Sequence, residues 1–363
     1  MFKKYRFLKI SLLSILSLVL IIFLFGYWFI NLLPARDKTL MSKTVHEIPY
    51  LSENVISNRG KVLVVVTSTS MIEKNQKKTG YELTELSRAY YVFQANGFEV
   101  DIASPKGGKP PVVIDDEDMG LYDYAFLNDK EAQYKSENTI PLDQINSSDY
   151  SAVYIVGGKG AMFDFPNHKK LQSLIKTLYQ SDKVVGAVCH GPAALINVKL
   201  DNGDYLLKNK NVSSFTSKEE LFLIPEAKTV FPFLLQEELS SKGAKFNEGT
   251  MYLEQVSHDD NLITGQNPWS TWKVAETMIA QMGYTPKDRK ITEDELAINV
   301  LSKYNSHGKS EAKKLIGKIT KESNTVNRTL IAQHAVIAAM KGEISTFYDL
   351  VTLVSFLKNI DQD

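Results

Sequence analysis

The run Lys183-Val184-Val185-Gly186-Ala187-Val188 ends in Cys189-His190-Gly191-Pro192, and this junction constrains the fold more than any other stretch of the chain. A short valine-rich apolar run has the composition of a buried strand. Gly191-Pro192 ahead of Ala193-Ala194-Leu195-Ile196 opens a helix with proline near its first turn. Cys189 therefore falls at a strand-to-helix turn. Such an elbow lifts a side chain out of the sheet, and the amides and helix N-terminus behind it favour negative charge on sulfur or on a substrate oxygen. A small buried core residue is the competing reading of Cys189. Against it stand an imidazole and two residues of special backbone directly after the sulfur. Cys189 is the single cysteine of the chain, so neither an intrachain disulfide nor a cysteine-rich zinc site holds the fold together.

Strand and helix alternate around this junction. Lys61 to Thr67 is a β-branched run of the kind found in a parallel strand covered on both faces, and Glu82 to Asn96 follows with helical spacing. Gly97 stops that helix. Phe98 to Ala103 and Ala152 to Val156 read as further strands, the latter ending in Gly157-Gly158, and a helix over Lys169 to Tyr179 precedes the elbow strand. Beyond the elbow, a strand near Val212 to Phe215, a helix over Phe231 to Lys242, a strand at Leu262-Ile263-Thr264 and a helix from Pro268 to Met282 are expected. The pattern predicts an α/β doubly wound, mostly parallel sheet with its site at the carboxyl ends of the strands.

Ala187-Val188-Cys189-His190-Gly191-Pro192-Ala193 resembles the nucleophile motif of the ThiJ/PfpI-like superfamily, within the class I glutamine amidotransferase-like fold. The resemblance spans roughly Lys61 to Gly283, and it implies that His190 belongs to the site with Cys189. Thr79-Gly80-Tyr81-Glu82-Leu83-Thr84-Glu85 is similar to a Thr-Gly-x-x-x-x-Glu segment of the glyoxalase III, protein deglycase and stress-chaperone branch, whose glutamate touches the cysteine. That places the third catalytic role on Glu85, with Glu82 as its rival. A carboxylic acid held neutral beside sulfur could donate a hydrogen bond to it and relay protons. Closely spaced glycines at Gly157-Gly158-Lys159-Gly160 let backbone amides approach a substrate oxygen, so Gly158 and the His190 amide are the candidate oxyanion hole. Lys159 stands where family members often carry histidine.

The resemblance implies a cofactor-free, metal-free cysteine enzyme acting on a small aldehyde such as methylglyoxal, or on glycated protein. The alternatives are a tethered chaperone or oxidative-stress sensor that turns nothing over, and, further off, a peptidase or a glutamine amidotransferase. The amidotransferase would need a His-x-Glu pair, and none of the six histidines has glutamate two positions on. Lys+Arg and Asp+Glu both number 42, so no overall field draws nucleic acid, and no basic stripe interleaved with aromatics is present.

Outside the α/β segment the chain changes character. Residues 1–9 form a basic leader. Ile10 to Leu33 carry no charge over 24 positions, about 36 Å as a helix against a hydrocarbon core of roughly 30 Å, which reads as a transmembrane anchor. A cleaved signal peptide is the alternative, but the run is long for one and no small-x-small cleavage site follows. Residues 34–59 read as a stalk, residues 60–286 as the ThiJ/PfpI-like domain and residues 287–363 as a helical appendage. The expected topology is single-pass in the cell membrane, N-terminus inside and catalytic domain outside, with a homodimer possible.

Overall fold

The computed structural model describes residues 2–35 and 37–360. The chain forms two compact units, Lys38–Lys290 and a second made of residues 1–37 with 291–363.

The first unit is built on a seven-stranded sheet. Its strands are β1 (Lys61–Val65), β2 (Glu99–Ser104), β3 (Ile140–Pro141), β4 (Ala152–Ile155), β5 (Val184–Val188), β6 (Val256–Asp259) and β7 (Leu262–Gly265). They lie in the order β6-β7-β5-β4-β1-β2-β3. All neighbours are parallel except β6 and β7. The chain runs outward from β1 through β2 to β3, then returns to the other side of β1 with β4. The carboxyl ends of β1, β4 and β5 thus meet where the winding reverses, the position at which open α/β sheets hold their sites.

The strands are apolar because helices cover both faces. One face packs Tyr90, Tyr91, Phe93, Phe126, Trp272 and Met278; the other packs Phe165, Leu171, Leu174, Ile175 and Leu178. Gly186, in the middle of β5, leaves the space filled by Met278 of the Thr271–Gln281 helix; a Cβ there would lie 2.1 Å from the methionine sulfur.

Several expectations are revised. The segment read as a stalk joins the compact body from Lys38 onward: Ile48 and Tyr50 are buried, Tyr50 Oη accepts a 3.0 Å bond from Asn96, and Asn128 donates to the carbonyls of Met41 and Lys43. Polar composition misled there because a few apolar residues suffice to seat an extended segment. The expected helix after the elbow is a 3-10 turn of five residues, Gly191–Leu195, so little helix dipole lies behind the sulfur. The helix expected from Phe231 begins at Leu235, beyond Pro232, whose missing N–H and ring bulk oppose a helix interior. Asn211–Val212 pairs with Lys245–Phe246 in a separate two-stranded sheet. Helices Leu121–Asn128 and Lys130–Glu137 and strand β6 were not anticipated.

In the second unit, Glu293–Lys321 is helical with a break at Gly308 (φ 80°), and helices Arg328–Met340 and Ile344–Ile360 follow. Ile316, Ile331, Leu353 and Val354 are among its buried residues. The Phe2–Ile30 helix includes Leu13–Ile30, with a mean hydropathy of 2.5 and none of its described side chains buried. That stretch is long and apolar enough to cross a membrane. The same unit holds a Phe25–Phe347 ring contact at 6.0 Å and a 2.6 Å bond from Lys358 Nζ to the Asn31 carbonyl.

Candidate active site

Cys189 follows β5 directly and has φ 59°, a left-handed conformation that costs a non-glycine residue roughly 1–2 kcal/mol. Both sides of the turn are clamped. The Cys189 amide donates to the Gly265 carbonyl at 2.9 Å, and the Phe215 amide donates to the Cys189 carbonyl at 2.9 Å. A strained nucleophile position is maintained because the surrounding sheet ends over-determine it.

Three titratable groups converge there. The His190 ring folds back so that Nδ1 lies 3.3 Å from Cys189 Sγ, while Nε2 lies 2.6 Å from Glu220 Oε2. Both members of the His190–Glu220 pair are buried, and the Phe215 ring packs on the imidazole with centroids 4.7 Å apart. Burial pushes the Glu220 carboxyl up, but the charge of His190 and its hydrogen bond outweigh this and hold it below the ordinary value. Glu220 was not foreseen from the sequence. It lies 30 positions from His190, on the Ser217–Leu223 helix, whose start is marked by the capping box of Thr216 and Glu219. That Thr-x-x-Glu signature was the available signal.

Glu85, in the first turn of the Leu83–Ala95 helix, is fully buried. Its Oε2 accepts from the Gly157 amide at 2.7 Å, while Oε1 has no hydrogen-bond partner. Burial, then the charge of Glu82, push its carboxyl well above the usual range, against the opposing influence of Cys189 and Gly157. The environment thus favours the protonated acid at Glu85, next to sulfur. The structure brings Cys189, His190 and Glu85 together as expected. Glu82 stays outside direct contact: half-buried at the N-cap of the same helix, it acts on Cys189 and Glu85 through its charge.

The expectation that the elbow favours negative charge on the Cys189 sulfur is corrected. Cys189 is 3% exposed, and burial, followed by the charges of Glu85 and Glu82, pushes its thiol up; Lys159 opposes this. The resting site accordingly holds a protonated thiol with the His190 ring 3.3 Å away.

Gly157 and Gly158 close the site from the end of β4. A Cβ on Gly157 would lie 2.6 Å from Glu85 Oε2 and 2.7 Å from the His190 nitrogen, and one on Gly158 (φ 99°) would lie 2.3 Å from the Gly80 carbonyl. Only glycine permits this approach. Among the described residues neither the Gly158 nor the His190 amide donates a hydrogen bond, so both are available to an oxyanion.

The profile of the DJ-1/PfpI family matches residues 77–281. Glyoxalase 3 of Candida albicans is 30% identical over 237 residues, covering 61% of this chain and 97% of its own length. A glutathione-independent glyoxalase of Schizosaccharomyces pombe is 31% identical over 243 residues, covering 62% and 96%. Among solved structures, the Rapid Encystment Protein 24 kDa of Francisella tularensis superposes with a TM-score of 0.58 at 34% identity, over 62% of this chain and 99% of that one. Glyoxalase III of Candida albicans superposes at 0.55 with 28% identity, over 62% and 98%.

Proposed function

We propose that this chain, which belongs to the DJ-1/PfpI family, is a cysteine-dependent, glutathione-independent glyoxalase that hydrates methylglyoxal to lactate. The observation that carries this is the meeting of a strained Cys189 with the His190 ring on one side and the fully buried Glu85, whose carboxyl is pushed up by burial, on the other. The names of the relatives support the same chemistry.

The steps follow from the proton positions. Sulfur adds to the aldehyde carbon as its proton passes to His190 Nδ1, with Glu220 holding the imidazolium that forms. Glu85 gives its proton to the aldehyde oxygen, producing a hemithioacetal. The carboxylate then takes the proton from that carbon, leaving an enediolate, and returns it to the neighbouring carbon, while the hydroxyl proton passes to the neighbouring oxygen. The amides of Gly158 and His190 face the oxygen that carries charge meanwhile. The product of this internal redox shift is a lactyl thioester; water adds to its carbonyl, lactate leaves, and His190 returns its proton to the departing sulfur.

Early glycation adducts on proteins carry a related hemithioacetal or aminocarbinol carbon, and deglycation is the second substrate class of the same site. An oxidation sensor would need an exposed thiolate, and a 3% exposed thiol pushed up by burial disfavours it. Single-pass tethering in the cell membrane, with the catalytic unit outside, is part of the same proposal; it rests on the length and apolar composition of Leu13–Ile30.

Steady lactate production from methylglyoxal over many turnovers, lost in Cys189→Ala, is expected. Turnover unchanged in Cys189→Ala would overturn the assignment. Tethering is tested separately, by flotation of the full chain with liposomes and its loss on removing residues 1–37.

A further inference from the structure

Glu219, next to Glu220, has no role in the chemistry above, yet it is the most heavily bonded carboxylate near the site. It is completely buried. Its Oε2 accepts from the Thr216 amide at 2.9 Å and the Thr216 hydroxyl at 3.0 Å. Its Oε1 accepts from the Tyr252 amide at 2.8 Å, Gln266 Nε2 at 3.0 Å and Asn267 Nδ2 at 3.1 Å. Every donor is neutral, and together they come from three separate pieces of chain. A carboxylate satisfied in this way is a rigid joint, because moving any one piece strands a buried donor or acceptor, at about 1–3 kcal/mol each.

Each piece leads to the site. The Thr216 end starts the Ser217–Leu223 helix that carries Glu220. Gln266 and Asn267 directly follow β7, whose last residue, Gly265, clamps the Cys189 amide. Tyr252 is held in a left-handed backbone (φ 56°), with its amide on Glu219 Oε1 and its hydroxyl donating to the Glu219 carbonyl at 3.2 Å. The Tyr252 ring packs on Phe215, which packs on the His190 imidazole. A helix of seven residues has little rigidity of its own, so the placement of Glu220 has to come from such a joint.

We infer that Glu219 is a positioning residue: by tying the Ser217–Leu223 helix to the end of β7 and to the Tyr252 turn, it sets the Glu220 carboxylate on His190 Nε2 and so governs the base that takes the Cys189 proton. This deepens the catalytic reading of Cys189, His190 and Glu220, and its test needs no turnover.

The test follows alkylation of Cys189 by iodoacetamide from pH 5 to 9 in the full-length protein, reading the pH at which the rate falls to half on the acid side. Cys189 is the sole cysteine, so the signal is unambiguous. Lys159, Glu82 and Glu85 also act on the thiol and are unchanged throughout. In Glu219→Gln one accepting oxygen becomes a donor facing donors. Glu220 then drifts from His190, the imidazolium it holds forms less readily, and the acid limb moves down by about half a pH unit or more. In a Glu220→Gln background the same change moves nothing further, because Glu219 acts through Glu220. A general loosening of the fold would instead raise the rate at all pH values and leave the limb in place. A folded Glu219→Gln protein with the wild-type limb, or an equal shift in both backgrounds, overturns the proposal. Should Glu219→Gln not fold, Thr216→Val, which removes one donor to Oε2, decides through the same cycle. Absence of lactate production by the wild type with this shift intact would discard the glyoxalase reading alone.

Discussion

At the scale of single residues, the site combines strain with suppressed charge. A left-handed φ of 59° is a position glycine would occupy without penalty, yet the chain keeps cysteine there. Cys189→Gly is expected to abolish turnover while changing unfolding free energy by no more than about 1 kcal/mol, since relief of strain offsets the lost burial of the thiol. Denaturant melts and lactate assays on the same preparation check this. Glu82 behaves differently from the inert surface residue its position suggests. Burial raises its carboxyl from 4.5 to about 7, opposed by Lys159 and reinforced by Asp115 and Asp118. The native state thus keeps a proton that an unfolded glutamate has released, so this contribution to stability is present at low pH and lost as pH climbs from 4.5 to about 7. Glu82→Gln should remove that decline and raise stability at pH 8 by about 1–3 kcal/mol. It should also speed Cys189 alkylation at pH 8 by withdrawing a charge that opposes the thiolate. Equal melts for the two proteins at pH 5 and pH 8 would contradict the first expectation.

Elements follow the same logic. The elbow works because β5 delivers Cys189 between the ends of β4 and β7, and the 3-10 turn after it contributes mainly geometry. The Ser217–Leu223 helix earns its place by carrying Glu220 on one side of Glu219's joint. In the other unit, His334 on the Arg328–Met340 helix is lowered by burial from 6.5 to about 4. The unfolded chain takes up a proton there that the folded helix refuses. Stability of that helix is therefore full above pH 6.5 and is lost as pH falls toward about 4. Hydrogen exchange across Arg328–Met340 and Ile344–Ile360 is expected to quicken over that interval, and His334→Leu should remove the pH dependence. A slope that persists in the variant would place the titrating group elsewhere.

For the whole molecule, every residue assigned to the site lies within the Lys38–Lys290 unit. The boundary matters. Lys287 donates from its backbone to Asn96 at 2.7 Å and from Nζ to the Tyr50 carbonyl at 2.6 Å, and Arg289 pairs with Glu276 at 2.7 Å and lies over the Trp272 ring. A chain cut after residue 286 would leave these partners exposed or unpaired. A protein of residues 38–290 is accordingly expected to fold and keep most of the thiol-dependent turnover, whereas one of residues 38–286 should melt lower by about 1–3 kcal/mol. Circular dichroism melts and lactate assays of the two distinguish them. Loss of activity in a folded 38–290 protein would show that the other unit contributes to catalysis.

Local patterns sufficed for the parts of this protein that depend on neighbours in sequence. The valine-rich strands, the Cys189-His190 elbow, the glycine pair at 157–158 and the Glu85 helix were all legible, because burial on both faces and tight turns demand particular residue types within a few positions. The apolar Ile10 to Leu33 run was equally plain in length. What tertiary structure decided was everything that depends on distance. Glu220 reaches His190 across 30 positions only because Glu219 locks a short helix against the end of β7. The Cys189 thiol is neutral because burial outweighs the nearby cation, a balance no motif encodes. Lys38 to Arg59 reads as linker by composition and is fixed by a few contacts to Asn96, Asn128 and Lys287. Proton affinity and docking are sums over surrounding atoms, and those atoms are assembled only when the chain has folded.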